Sequence, residues 1–235
     1  MEQNENPVAT LNIEPDSSSE NTSKEITLIH LFKNFFWLWI QPNRFFINVN
    51  AKLTSIAVVL CVYLMGISAV ADRIDINIMR TYSGGRSNEF IMNLTTNWIS
   101  YWGFVLGAGV LAAGIAWLFW GWIFNLRLKW SGDKDFDPTH GRVVYSITDL
   151  VLSLPYLVVM VIPVLYYPDY ITYYNHDELW TSSIIIFSIW KHVTKFIVVK
   201  KQFNVMTWKA CIWFLALPIS ILLGAVFVFT KMMGN

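Results

Sequence analysis

Residues 98–124 read WISYWGFVLGAGVLAAGIAWLFWGWIF, without one charged side chain. At ~1.5 Å of rise per residue a helix of this length exceeds the ~30 Å hydrocarbon core of a bilayer. Lipid offers the backbone no hydrogen-bond partner, so such a stretch must satisfy its own peptide groups as a helix. Four further apolar stretches, 53–71, 147–167, 180–199 and 210–230, are each about long enough to cross. The sequence therefore predicts an all-α polytopic membrane protein, a bundle of five transmembrane helices. Composition agrees: 55% of residues are hydrophobic and 14% charged, against ~25% charged in soluble domains. The mean hydropathy is +0.45. A soluble domain is excluded, and a net charge of +1 makes nucleic acid an unexpected partner.

Residues 1–25 are rich in Glu, Asn, Ser and Thr and poor in aromatics, which predicts a disordered tail. With acidic residues in place of a basic leader and no apolar run, the tail is no secretory signal, so the first span is expected to serve as its own anchor. Residues 26–47 mix Phe32, Phe35, Phe36 and Trp39 with His30, Lys33, Asn34, Gln41, Pro42 and Arg44. That mixture suits an amphipathic interfacial helix, its rings in the acyl boundary and Lys33 and Arg44 at phosphates. A sixth crossing is the rival, and the short unbroken stretch 31–40 argues against it. Residues 48–235 then form the five-helix domain.

Loop charge orients the bundle. Lys24, Lys33, Arg44, Lys52, Arg127, Lys129, Lys134, Arg142, Lys200, Lys201 and Lys209 fall on one side, and only Arg73, Arg80, Arg86 and Lys231 on the other. The positive-inside rule puts the amino terminus in the cytoplasm and, after an odd number of crossings, the carboxyl terminus outside. Trp98, Tyr101, Trp102, Tyr166, Tyr167, Tyr170 and Trp180 near the outer boundary are expected to form an aromatic belt.

In the second span Gly103, Gly107, Gly114 and Gly121 share one helical face. Small residues on one face let a second helix approach, which predicts internal packing, with homodimerisation through Gly103 and Gly107 as the alternative. Polar residues at membrane depth carry more information, because ionisable groups there are costly. Ser146, Asp149 and Ser153 line one face of the third span; Ser188, Lys191, His192 and Lys195 line one face of the fourth. Asp149 and Lys195 lie at matched depth near the cytoplasmic surface, so they are expected to pair. Asp149, Lys191, His192 and Lys195 form the candidate site, read either as a structural ion pair with snorkelling lysines or as a polar pocket for a lipid headgroup or proton-coupled substrate.

Asp133, Asp135 and Asp137 alternate as in the opening of a calcium loop, but Pro138 stands where the glycine belongs and no glutamate closes the sphere. A solvated turn is expected, and no metal. His176, Asp177 and Glu178 are merely adjacent, which does not converge ligands. Asn93–Leu94–Thr95 is a glycosylation sequon that matters only in a eukaryotic secretory setting. Cys61 and Cys211 fall inside spans and read as small packing residues. No P-loop, nucleophile elbow or HExxH occurs, so neither a cofactor nor an enzymatic role is expected.

A polar tail, an aromatic segment with Trp39 and Pro42, Tyr145–Ser146 opening the third span with Pro155 further in, and two final spans joined by a short basic loop and closed by Pro218 together resemble the Yip1 family over about residues 35–231. The resemblance implies a five-span protein that organises membrane or recruits partners. Eukaryotic members act with Rab GTPases in early secretory traffic, and most prokaryotic members have no assigned activity. This tail holds no Asp-Leu-Tyr-Gly-Pro-like motif, and Val144 stands where a glycine commonly precedes the Tyr–Ser pair, which points to a bacterial inner-membrane member. The expectation is a non-enzymatic organiser or adaptor that binds lipid or protein at the cytoplasmic face. A small transporter or lipid-handling protein using the four polar residues is the alternative.

Overall fold

The computed structural model describes residues 28–48, 55–82, 88–176 and 180–233; the expectations for residues 1–25, and those resting on Asp177 and Glu178, lie outside them. All regular structure among the described residues is helical. Four helical stretches, 56–82, 98–130, 138–165 and 207–228, are long and apolar enough to cross a membrane.

Helix α3 (Ser55–Tyr82) packs on α5 (Trp98–Ile115) and on α7 (Pro138–Val161). After α5 the chain passes through a π-helical turn, Ala116–Trp120, into α6 (Gly121–Trp130). A short helix, α4 (Glu89–Thr95), precedes α5, with the Asn88 side chain accepting from the Ile91 amide as its N-cap. Helix α7 starts on Asp137, whose carboxylate accepts from the Thr139 and His140 amides, with Pro138 at the first helical position. It contains Pro155 and ends in the tighter turn Ile162–Leu165. Helix α8 (Tyr170–His176) follows, then α9 (Trp180–Gln202). The last stretch joins α10 (Thr207–Ala210), a wide turn Cys211–Ala216 and α11 (Leu217–Met233). That wide turn lies just before Pro218, a residue that withholds one helical hydrogen bond.

Hydrogen bonds fix which loops share an end. Met206 N donates to Ser131 O at 2.8 Å, Asn204 N to Asp133 Oδ2 at 2.9 Å and Gln202 Nε2 to Phe46 O at 3.5 Å. At the opposite end Trp98 Nε1 donates to Tyr167 O at 2.8 Å, and Tyr82 stacks on Tyr174. The first end gathers Arg44, Arg127, Lys129, Lys134, Arg142, Lys200, Lys201 and Lys209 and is here termed the basic end. The second, termed the aromatic end, has Arg73 and Arg80. Helix α9 runs from the aromatic end to the basic end along α7.

The segment expected to lie along the interface is broken at Gln41 into α1 (Leu28–Ile40) and α2 (Pro42–Asn48). Leu38, Phe45 and Phe46 are buried in one core cluster with Cys61, Met65, Leu150 and Phe214. Trp190 Nε1 donates to Trp39 O at 3.0 Å, and Trp39 packs on Phe187. These residues of α9 lie about 18 and 22 Å along the axis from Gln202, at 1.5 Å per residue. The α1–α2 corner thus reaches about halfway up the bundle. Of its rings, Phe36 is exposed while Phe35 and Trp39 pack on the core, and Arg44 lies over the Trp37 ring at 5.3 Å.

Two expectations about small and aromatic residues are corrected. A Cβ at Gly103, Gly107 or Gly114 would meet nothing within 4 Å, so these three glycines seat no neighbour among the described residues. Gly121 does face one, the Arg142 side chain, 2.7 Å from its ideal Cβ. The close approach of α3 and α5 is made elsewhere: a Cβ on Gly66 would stand 2.3 Å from Gly109 O and 2.6 Å from Ala113 N. Trp98, Tyr101 and Tyr170, expected in a lipid-facing belt, instead form a second core cluster with Ile74, Ile78 and Tyr156, whereas Tyr166 stays exposed. Burial between helices gives these rings more apolar contact than an interface does, and mutual edge and stacking contacts orient them.

Candidate functional site

Helical spacing on α7 and α9 brings the predicted charges together. Lys195 Nζ donates to Asp149 Oδ1 at 2.9 Å, and Lys191 Nζ stands 3.4 Å from the same oxygen. The side chains are 8% and 17% exposed, and that of Asp149 13%, so the centre is enclosed by protein. Lys195 Nζ also sits 4.5 Å from the Tyr145 ring centroid, a cation–π contact one turn toward the basic end. Ser153 Oγ approaches Asp149 Oδ2 at 3.5 Å, while Ser146 turns back to Arg142 O on its own helix. His192 lies beside the centre, and its Nδ1 is buried without a hydrogen-bond partner among the described residues. The arrangement is one anion shared by two cations, which clamps α7 to α9 and leaves surplus positive charge.

A second polar centre lies toward the aromatic end. The hydroxyls of Tyr156 on α7 and Tyr170 on α8 both donate to the Asp75 carboxylate on α3. Tyr101 stacks on Tyr170 with centroids 4.6 Å apart, and its hydroxyl is buried without a partner among the described residues. The apolar run 53–71 stops short of Asp75, so hydropathy alone does not mark this residue. The available signal was the apolar spacing of Ile74 and Ile78, which carries the helix beyond that point.

The aspartates of the 131–137 turn act as local ties. Asp133 accepts from the Asp135 and Asn204 amides, and Asp137 caps α7. No group of three or more His, Cys, Asp or Glu among the described residues is placed to hold a metal. His176 stacks on Tyr167. Cys61 is buried in the first core cluster, Cys211 is half-buried, and both are free thiols.

No family model, curated protein or solved structure matches the chain.

Proposed function

We propose that this multi-pass membrane protein is a non-enzymatic organiser or adaptor of Yip1-like type, binding lipid or protein at the cytoplasmic face of a bacterial inner membrane. In this reading α9 is a fifth crossing, the basic end faces the cytoplasm and the carboxyl terminus lies outside. The length of α9 and its course between the two ends support the crossing, although Lys191, His192 and Lys195 lower its hydropathy. Positive charge gathered at one end supports the orientation.

The observation that carries the binding role is the surface of the basic end. Trp208 is 63% exposed beside Lys209 at that end, and Phe36, 69% exposed on the docked α1–α2 corner, extends the apolar surface toward the middle of the bundle. Exposed rings among lysines and arginines suit an anionic leaflet or an amphipathic partner. Affinity purification in mild detergent, with mass spectrometry of bound proteins and lipids, tests it. Phe36→Ala with Trp208→Ala should lose specific co-purifying species while the protein stays monodisperse; an unchanged set contradicts the role.

A further inference from the structure

We propose that the basic end holds an anionic phosphate group in a site between α6, α7 and α9; the orientation proposed above bears on which lipid leaflet supplies the group, and the site itself does not depend on it. Lys191 and Lys195 share Asp149 Oδ1, so one carboxylate answers two ammonium groups. Arg127, one turn from the end of α6, adds a third cation, close enough to act electrostatically on Tyr145, His192 and Lys195. Arg142 lies two turns before Asp149 on the same face of α7, and its Nε is buried without a hydrogen-bond partner among the described residues. Asp72 is also within electrostatic reach of Lys191, but Arg73 acts on it more strongly. The acids in range therefore leave positive charge over.

Surplus buried charge is unfavourable until an anion enters. A phosphate matches the donors present: the guanidinium forks of Arg127 and Arg142 donate to its oxygens in pairs, and the lysines act as point charges. His192 Nδ1, also unpartnered, becomes a further donor in the tautomer that carries its proton there. Exposed Lys200 and Lys201 at the same end raise the local concentration of anions without forming the site. The phosphodiester of an anionic phospholipid and free inorganic phosphate offer the same chemistry, and the experiment separates them.

The test follows thermal unfolding of the full chain in mild detergent, titrated with phosphatidylglycerol, with phosphatidylcholine or with inorganic phosphate. Phosphatidylglycerol should raise Tm where phosphatidylcholine does not. Lys191→Gln and Arg127→Gln, both of which keep the Lys195–Asp149 pair, should each raise the half-saturating concentration roughly ten-fold, as expected on losing a charge-assisted contact. Lys200→Gln with Lys201→Gln should leave it nearly unchanged. A Lys191-dependent shift with inorganic phosphate alone upholds the site and assigns it to a soluble anion. Equal loss in the Lys200/Lys201 variant, or no loss in the Lys191 and Arg127 variants with any titrant, overturns it.

Discussion

Near the basic end, α7 and α9 meet through one carboxylate and two ammonium groups; near the aromatic end, α3, α7 and α8 meet through one carboxylate and two phenols. The first centre is held by opposite full charges, so each member depends on the others remaining ionised and close. The second is held by directional hydrogen bonds from neutral donors, and losing one phenol leaves the carboxylate its other. Both hold a partly buried aspartate between helices, yet they should fail differently. That difference separates an ionic clamp from a hydrogen-bonded staple.

The largest expected effect strikes the α3–α5 contact, which seats the helix that carries Asp75. Gly66→Leu drives side-chain atoms into the Gly109 and Ala113 backbone, where nothing flexible can yield. Its cost should exceed the ~1–3 kcal/mol of ordinary overpacking and appear as loss of monodisperse protein in detergent. Next comes the ionic clamp: Asp149→Asn leaves Lys191 and Lys195 enclosed without their anion and should cost ~3–5 kcal/mol, measured as lowered unfolding stability. Tyr170→Phe removes one donor to Asp75 and should cost ~1.5–3 kcal/mol, the worth of a hydrogen bond to a charged group. Tyr156→Phe should match it, and a loss as large as that of Asp149→Asn would erase the contrast between the centres. The smallest effect belongs to Gly107→Leu, which enters open space and should leave unfolding within ~0.5 kcal/mol of the parent; a marked loss would show that another surface covers this face.

The long apolar helices were legible because lipid imposes a minimum length and forbids charge, and those two rules act on sequence directly. Asp149 and Lys195 were legible for a related reason: complementary polar stripes at matched depth have few other ways to be satisfied. The glycine face was not. Spacing shows that Gly103, Gly107 and Gly114 share a side but carries no information on what covers it, whereas Gly66, isolated in its own span, makes the tight contact. Tyr101 and Tyr170 lie at an apparent interface in one dimension, and only the approach of α8 to α3 and α5 converts them into core. Asp75 was overlooked because its partners are neutral tyrosines, which leave no complementary charge to find. The α1–α2 corner kept its aromatic character, but the break at Gln41 and Pro42 lets it dock into the bundle.

The proposed topology sharpens the comparison, because it sets the two centres toward opposite faces of the membrane. A reporter active only in the cytoplasm should work when fused after Lys24 and fail when fused after Asn235. Activity at both ends would mean an even number of crossings, either six with residues 31–40 crossing or four with α9 removed from the spans.

The central claim, that Asp149 serves as the shared anion joining α7 to α9, is tested most directly by a mutant cycle in detergent unfolding. Single Asp149→Asn and Lys195→Met variants should each destabilise, whereas Lys191→Met, which keeps the shorter Lys195–Asp149 pair and relieves the surplus charge, should change stability little. The Asp149→Asn/Lys195→Met double variant should lose less than the sum of its parts by at least ~0.5–3 kcal/mol, and adding Lys191→Met should recover more, since no unpaired charge of the clamp then remains. Strictly additive losses across the cycle would contradict the shared anion.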